Sequence, residues 1–184
     1  MILRLFRRTP RSHSIAGLYG MIVAQARAPE FYRAYGVPDT VNGRFEMIAL
    51  HTVLLLHRMA EPVQLRRIGQ EIFDHFCEDM DASMREMGVG DLTVPRKMRR
   101  VGAAFYTRQK EYLEALAAGD LDLLEAALAR NVFDGMPGSR DGAERLARYV
   151  RAAAEALAAQ DNEALARSDV RFPDPAQVLP VLEA

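Results

Sequence analysis

Apolar residues recur at three- and four-residue spacings along nearly the whole chain, and no sustained alternating run of β-branched residues interrupts them. The pattern predicts an all-α fold: a single compact helical domain of about six to eight helices. A first helix carries Ile15, Leu18 and Ile22 on successive turns, capped by Ser12 or Ser14, and runs to Arg27 before Ala28 and Pro29 break it. Phe31, Tyr32 and Tyr35 follow in a short helical or irregular piece closed by Gly36, Val37 and Pro38. Asp39 or Thr40 starts the next helix, which extends to about Met59. Its Gly43 either eases the turn or lets another backbone come close.

The clearest amphipathic segment comes next. Pro62 suits its first turn, and Leu65, Ile68, Ile72, Phe76, Met80, Met84 and Met87 form one apolar stripe down to Gly88. On the other side Arg67, Glu71, Asp74, Glu78, Asp81 and Arg85 step by threes and fours, so they share a polar face. After a loop over 88–93, Thr93 caps and Pro95 opens a fourth long helix burying Met98, Val101, Phe105, Tyr112 and Leu116. Gly119 and Asp120 act as stop and cap before a shorter helix from Leu121 to about Val132. A glycine-rich loop over 134–142 precedes an alanine-rich helix, capped by Asp141, that reaches about Ala159. Asp161 or Asn162 starts a last short helix, and regular structure ends at 171–175. The expected organisation is a basic N-terminal arm over 1–12, a helical domain over 13–172 and a C-terminal tail over 173–184.

Composition narrows the classes. With 184 residues, 49% apolar and 27% charged, the chain can bury a sizeable core, which excludes a disordered or collagen-like chain. Lys and Arg number 24 against 25 Asp and Glu, a balance that disfavours a surface built for DNA. The lone Cys77 cannot form an intramolecular disulfide, so a reducing compartment is expected. The longest apolar run, 47–56, is interrupted by His51 and falls short of the ~20 residues of a membrane span. Residues 1–8 are basic without the long apolar segment or small-residue cleavage site of a secretory signal. A soluble chain, or one bound to a membrane surface, is expected.

Candidate chemistry is sparse. There is no glycine-flanked serine elbow, and the Gly88–Gly90 pair lacks the further glycine and the lysine–serine ending of a phosphate loop. A di-iron site needs Glu-x-x-His, but His75 falls one position too late after Glu71, and Glu71 and Asp74 belong to the solvated face. No enzyme activity, metal or cofactor is expected. His51, inside an apolar helix, fits a hydrogen-bonded core histidine, and Cys77 a small residue at the edge of the apolar stripe.

Charge placement is more informative. Arg96, Lys97, Arg99 and Arg100 crowd the start of a helix, where the dipole disfavours cations by ~0.3–1 kcal/mol per group. Either they pair with the acidic row of the preceding helix, or they form a basic patch for an anionic partner such as RNA, lipid headgroups or another protein. In the N-terminal arm, Arg4, Arg7, Arg8 and Arg11, together with Arg27, precede the first acid, Glu30. Beside Ile2, Leu3, Leu5 and Phe6 they suit weak contact with an anionic membrane. Met80, Met84, Met87 and Met98 serve either core packing or an adaptable groove for apolar clients.

Two segments resemble a known family. Phe31 and Tyr32, then residues 35–40, then residues 43–51 from Gly43 to His51, are similar to the first signature of the ubiquinol–cytochrome c chaperone family. Residues 74–100, continuing to Gly102, Phe105 and Tyr106, resemble its second, and the likeness spans about 15–172. The resemblance implies a non-enzymatic assembly chaperone of the cytochrome bc1 complex that binds newly made cytochrome b or its nascent chain, with the ribosome as a further candidate partner. It also implies the cytoplasm, with the inner face of the cytoplasmic membrane as a peripheral station. On the matching positions it points to Arg44, Glu46 and His51 in the first motif, and Asp74, Asp81, Arg85, Asp91, Lys97 and Arg100 in the second. The exposed ones are expected to form a recognition surface whose backbone is held by Gly43, Gly88, Gly90, Pro95 and Gly102. The alternative is an RNA- or ribosome-binding helical module using the basic turn from Arg96 to Arg100.

Overall fold

The computed structural model of the chain describes residues 10–136 and 139–179. Within them lie α1 (Pro10–Ala26), α2 (Pro29–Arg33), α3 (Val41–Arg58), α4 (Val63–Glu86), α5 (Val94–Ala118), α6 (Leu121–Asn131), α7 (Arg140–Ala158), α8 (Asn162–Ala166) and α9 (Pro175–Val178), and no strand. The all-α class is as the periodicity predicts. Helices α2, α8 and α9 are single-turn connectors; the six longer ones make the body. Arg4, Arg7 and Arg8, with Ile2, Leu3, Leu5 and Phe6, lie outside the described residues.

The core is organised around α3. Every residue from Met47 to Leu55 is buried, as expected of a helix apolar on all sides. It packs against α1, α4, α5 and α7. Helices α4, α5, α6 and α7 each pack on the next, α7 returns to α3, and α1 closes the body against α3 and α4.

Local signals account for most boundaries. Thr40 Oγ1 accepts from Gly43 N at 3.0 Å, Asp120 caps α6 through Leu123 N at 2.9 Å, and Asp161 accepts from Glu163 N and Ala164 N. Gly119 ends α5 in the left-handed region at φ 66°. Gly43 is there for a close approach: a Cβ would lie 2.0 Å from the Pro38 carbonyl oxygen.

Four boundaries differ from the sequence pattern. α1 begins at Pro10, upstream of both serines, where a proline loses nothing because the first helical N–H has no partner in the helix. Thr93 makes no side-chain cap on α5, and Asp141 sits inside the first turn of α7 instead of capping it. Regular structure also continues past 171–175. Asp174 caps α9 through Ala176 N at 2.9 Å, and Tyr35 Oη donates to Pro175 O at 2.7 Å, docking this segment on the body.

Candidate functional site

The residues singled out by the first motif build the interior. His51 Nδ1 donates to Met47 O at 2.7 Å, which leaves Nε2 as the acceptor for Tyr149 Oη at 3.0 Å. Gln25 Nε2 donates to Tyr149 Oη and to Pro173 O, both at 2.9 Å. One tautomer therefore satisfies a chain of hydrogen bonds joining α1, α3, α7 and the segment before α9. Phe31, Tyr149 and Phe172 lie around the imidazole with ring centroids 5.2–5.6 Å away. Burial lowers the His51 pKa to about 4, so the ring is neutral at physiological pH.

Glu46 is similarly enclosed, at 1% exposure. Arg108 of α5 grips it with both prongs, Nε to Oε2 at 2.6 Å and Nη2 to Oε1 at 2.5 Å. Burial pushes the carboxyl up against the pull of that guanidinium. Arg44 alone of the three first-motif candidates is exposed. It binds Asp39 at 2.6 Å and lies over the Tyr32 ring, 5.5 Å from its centroid. Of the first-motif positions, Glu46 and His51 are thus buried and lie off the surface that the exposed members were expected to form. His51 is the hydrogen-bonded core histidine that its apolar helix suggested.

The second motif forms the outer end of α4 and α5 and the loop between them. Arg85 ties two carboxylates together, holding Asp81 through Nε at 2.6 Å and Asp91 through Nη1. Asp74 accepts from Gln70 at 2.8 Å on the exposed side of α4. Gly88 takes a left-handed φ of 80° at the helix end, whereas Gly90 and Gly102 face open space and are not forced by packing.

Lys97 and Arg100, with Arg96 and Arg99, are all exposed and make no ion pair with any described residue. Pairing with the acidic row, one of the two explanations for their position, is therefore not what the structure shows. The acids of that row are engaged elsewhere: Asp81 with Arg85, Glu78 near His75, and Asp74 accepting from Gln70 Nε2 at 2.8 Å.

The methionines divide. Met80 is buried and Met84 and Met98 half-buried, but Met87 is 57% exposed, and Leu92 in the loop is 98% exposed. A shallow groove of about 200 Å³ lies between the end of α3 and the outer faces of α4 and α5, lined by Leu56, Met59, Phe73, Phe105 and Tyr106. Sequence reasoning missed it. The available signal was that Phe73 and Tyr106 each adjoin a core residue, Ile72 and Phe105, and so extend the apolar face sideways.

The described residues hold no cluster of three or more metal-ligating side chains and no helix long and apolar enough to cross a membrane. The site offers docking chemistry, namely exposed charge of both signs, two exposed apolar side chains and an aromatic groove. The family model described as ubiquinol–cytochrome C chaperone matches residues 33–172, which contain the first motif from Tyr35 on, the second motif and the whole α4–α5 unit. The chain belongs to this family. It is 28% identical over 149 residues to the ubiquinol-cytochrome-c reductase complex assembly factor 1 of Xenopus laevis, covering 80% of this chain and 74% of that protein. Among solved structures it is similar to the crystal structure of the Cbp3 homolog from Brucella abortus, with 41% identity and a TM-score of 0.85 over 96% of this chain and 99% of that one. Membership makes it a chaperone of ubiquinol–cytochrome c reductase assembly.

Proposed function

We propose that the chain performs this assembly role without catalysis of its own, by holding newly made cytochrome b or its nascent segments along the exposed faces of α4 and α5. The observation that supports this reading is the contrast within the second motif. Asp74, Asp81, Arg85, Asp91, Lys97 and Arg100 are all turned to solvent or half-exposed, although nothing in the fold requires charge there. Beside them the groove at Phe73, Phe105 and Tyr106 offers a wall for an apolar segment. Arg44, exposed beside Asp39 and Tyr32, acts in the reading as a secondary contact. The client is met at the inner face of the cytoplasmic membrane.

The test is genetic and biochemical. Deleting the gene should lower assembled bc1 complex on native gels and leave cytochrome b unassembled; unchanged bc1 levels would sink the proposal. In the complemented strain, Tyr106→Asp combined with Arg85→Glu should fail to restore the complex while the purified variant keeps its fold. Crosslinks from position 106 to cytochrome b are expected, and crosslinks to ribosomal RNA in their place would favour the RNA-binding alternative.

A further inference from the structure

The basic turn of α5 and the loop before it form a surface with a distinct chemistry. At 100° per residue, Arg99, Arg96, Arg100 and Lys97 fall in that order across roughly 160° of the helix circumference, opposite Val94, Met98, Val101 and Phe105 on the packed side. All four lie within about 9 Å of helix rise from Val94, so they sit at the same end as Leu92 and Met87. Between residues 85 and 100 there are five cations against two carboxylates, and Asp91 is already bound by Arg85. Leu92 at 98% exposure and Met87 at 57% project from this end with no apolar cover.

We infer that this end of the molecule docks on an anionic membrane surface, with Leu92 and Met87 entering the headgroup region while Arg96, Lys97, Arg99 and Arg100 meet lipid phosphates. Charge complementarity selects the occupant. Cations with no ion-pair partner among the described residues, on a helix start that disfavours them, are compensated by an anionic layer. The apolar pair decides between polyanions. A single-stranded RNA would be met by stacking aromatics, and the loop offers Leu and Met, which suit the lipid boundary. The geometry also fits the proposed client, because docking by the loop leaves the groove at Tyr106, about 18 Å further along α5, open to it. The inference deepens the reading of the α4–α5 end given above and rests on it only for its purpose.

Flotation of the full chain with vesicles tests it. Binding is expected to vesicles containing phosphatidylglycerol and not to phosphatidylcholine alone, and to weaken as salt is raised. Lys97→Ala and Arg100→Ala should each weaken it by about fivefold, and Leu92→Ser should weaken it further while making the remainder more salt-sensitive. Thermal unfolding of each variant, no lower than that of the parent, confirms that fold is not at issue. The inference is overturned if these variants float like the parent. It is also overturned if a variant with Arg4, Arg7 and Arg8 changed to Ser alone loses binding, or if polyuridylate is bound through Lys97 and Arg100 while vesicles are not. Assembled bc1 complex is read separately, so loss of vesicle binding with normal assembly, or the reverse, tells which reading has failed.

Discussion

Around His51, the side chains of Gln25, His51 and Tyr149 each end on a partner at 2.7–3.0 Å; around Arg96, none of four neighbouring cations finds one among the described residues. Both regions lie within the matched family segment or touch it, and both are rich in polar residues. In the interior a polar group without a partner costs about 1–3 kcal/mol, so each one present there is tied by geometry. At the outer end of α4 and α5 water satisfies the cations, and stability neither requires nor forbids them. The interior motif thus preserves a shape, and the outer one presents a surface on it.

The largest expected effect lies in the interior. Arg108→Ala should destabilise the fold by about 3–5 kcal/mol, because it leaves Glu46 buried and uncompensated. Replacing both residues by Met should recover most of that loss, since two apolar side chains carry no desolvation penalty. Urea unfolding of the single and double variants measures this. A single variant as stable as the parent would show that the carboxylate finds another partner.

A pH dependence comes next. The folded His51 pKa of about 4 lies below the ordinary histidine value near 6.5, so the unfolded chain binds the extra proton between these values. The stabilisation from keeping this ring neutral is complete above about pH 6.5 and is lost as pH falls toward 4, on the order of 3 kcal/mol in all. In His51→Gln the slope of stability against pH over that window should flatten by about one proton's worth. An unchanged slope would mean that other groups carry it.

Tyr149→Phe is smaller, about 1–3 kcal/mol, since it removes the hydroxyl that gives to His51 and takes from Gln25. Its local signature should be faster amide exchange around 171–178, because Gln25 also holds Pro173. A loss spread evenly over the molecule would contradict the linking role assigned to this chain of hydrogen bonds.

These regions also differ in how much the sequence discloses. The three- and four-residue spacing of Leu65, Ile68, Ile72, Phe76 and Met80 placed α4, and Gly119 with Asp120 placed the break before α6, because both are local effects. The fork between Arg108 and Glu46 joins positions 62 residues apart, and no local pattern distinguishes such a buried carboxylate from a solvated one. The family resemblance marked Glu46, His51, Lys97 and Arg100 alike, since a motif records which residues recur and not which side of the surface they occupy. Only the packing of α3 inside α1, α4, α5 and α7 separates them. The docking of α9 was hidden for a similar reason: Tyr35 reaches Pro175 across 140 positions.

The smallest effect on stability has the opposite sign. Arg96, Lys97, Arg99 and Arg100 sit near the positive end of the α5 dipole and close to one another, with no described carboxylate as partner. Lys97→Ala with Arg100→Ala relieves the dipole penalty at Lys97 and the mutual repulsion of the cluster and adds two alanines, so the fold should gain a few tenths of a kcal/mol. The gain should shrink at high salt, where the dipole and the mutual repulsion are screened. The same variant should weaken vesicle binding and restore bc1 assembly poorly. More stability with less function would locate in these cations a cost that the fold carries for its partner. A loss of stability would instead mean that the cations are engaged after all, and that the outer end is an extension of the interior.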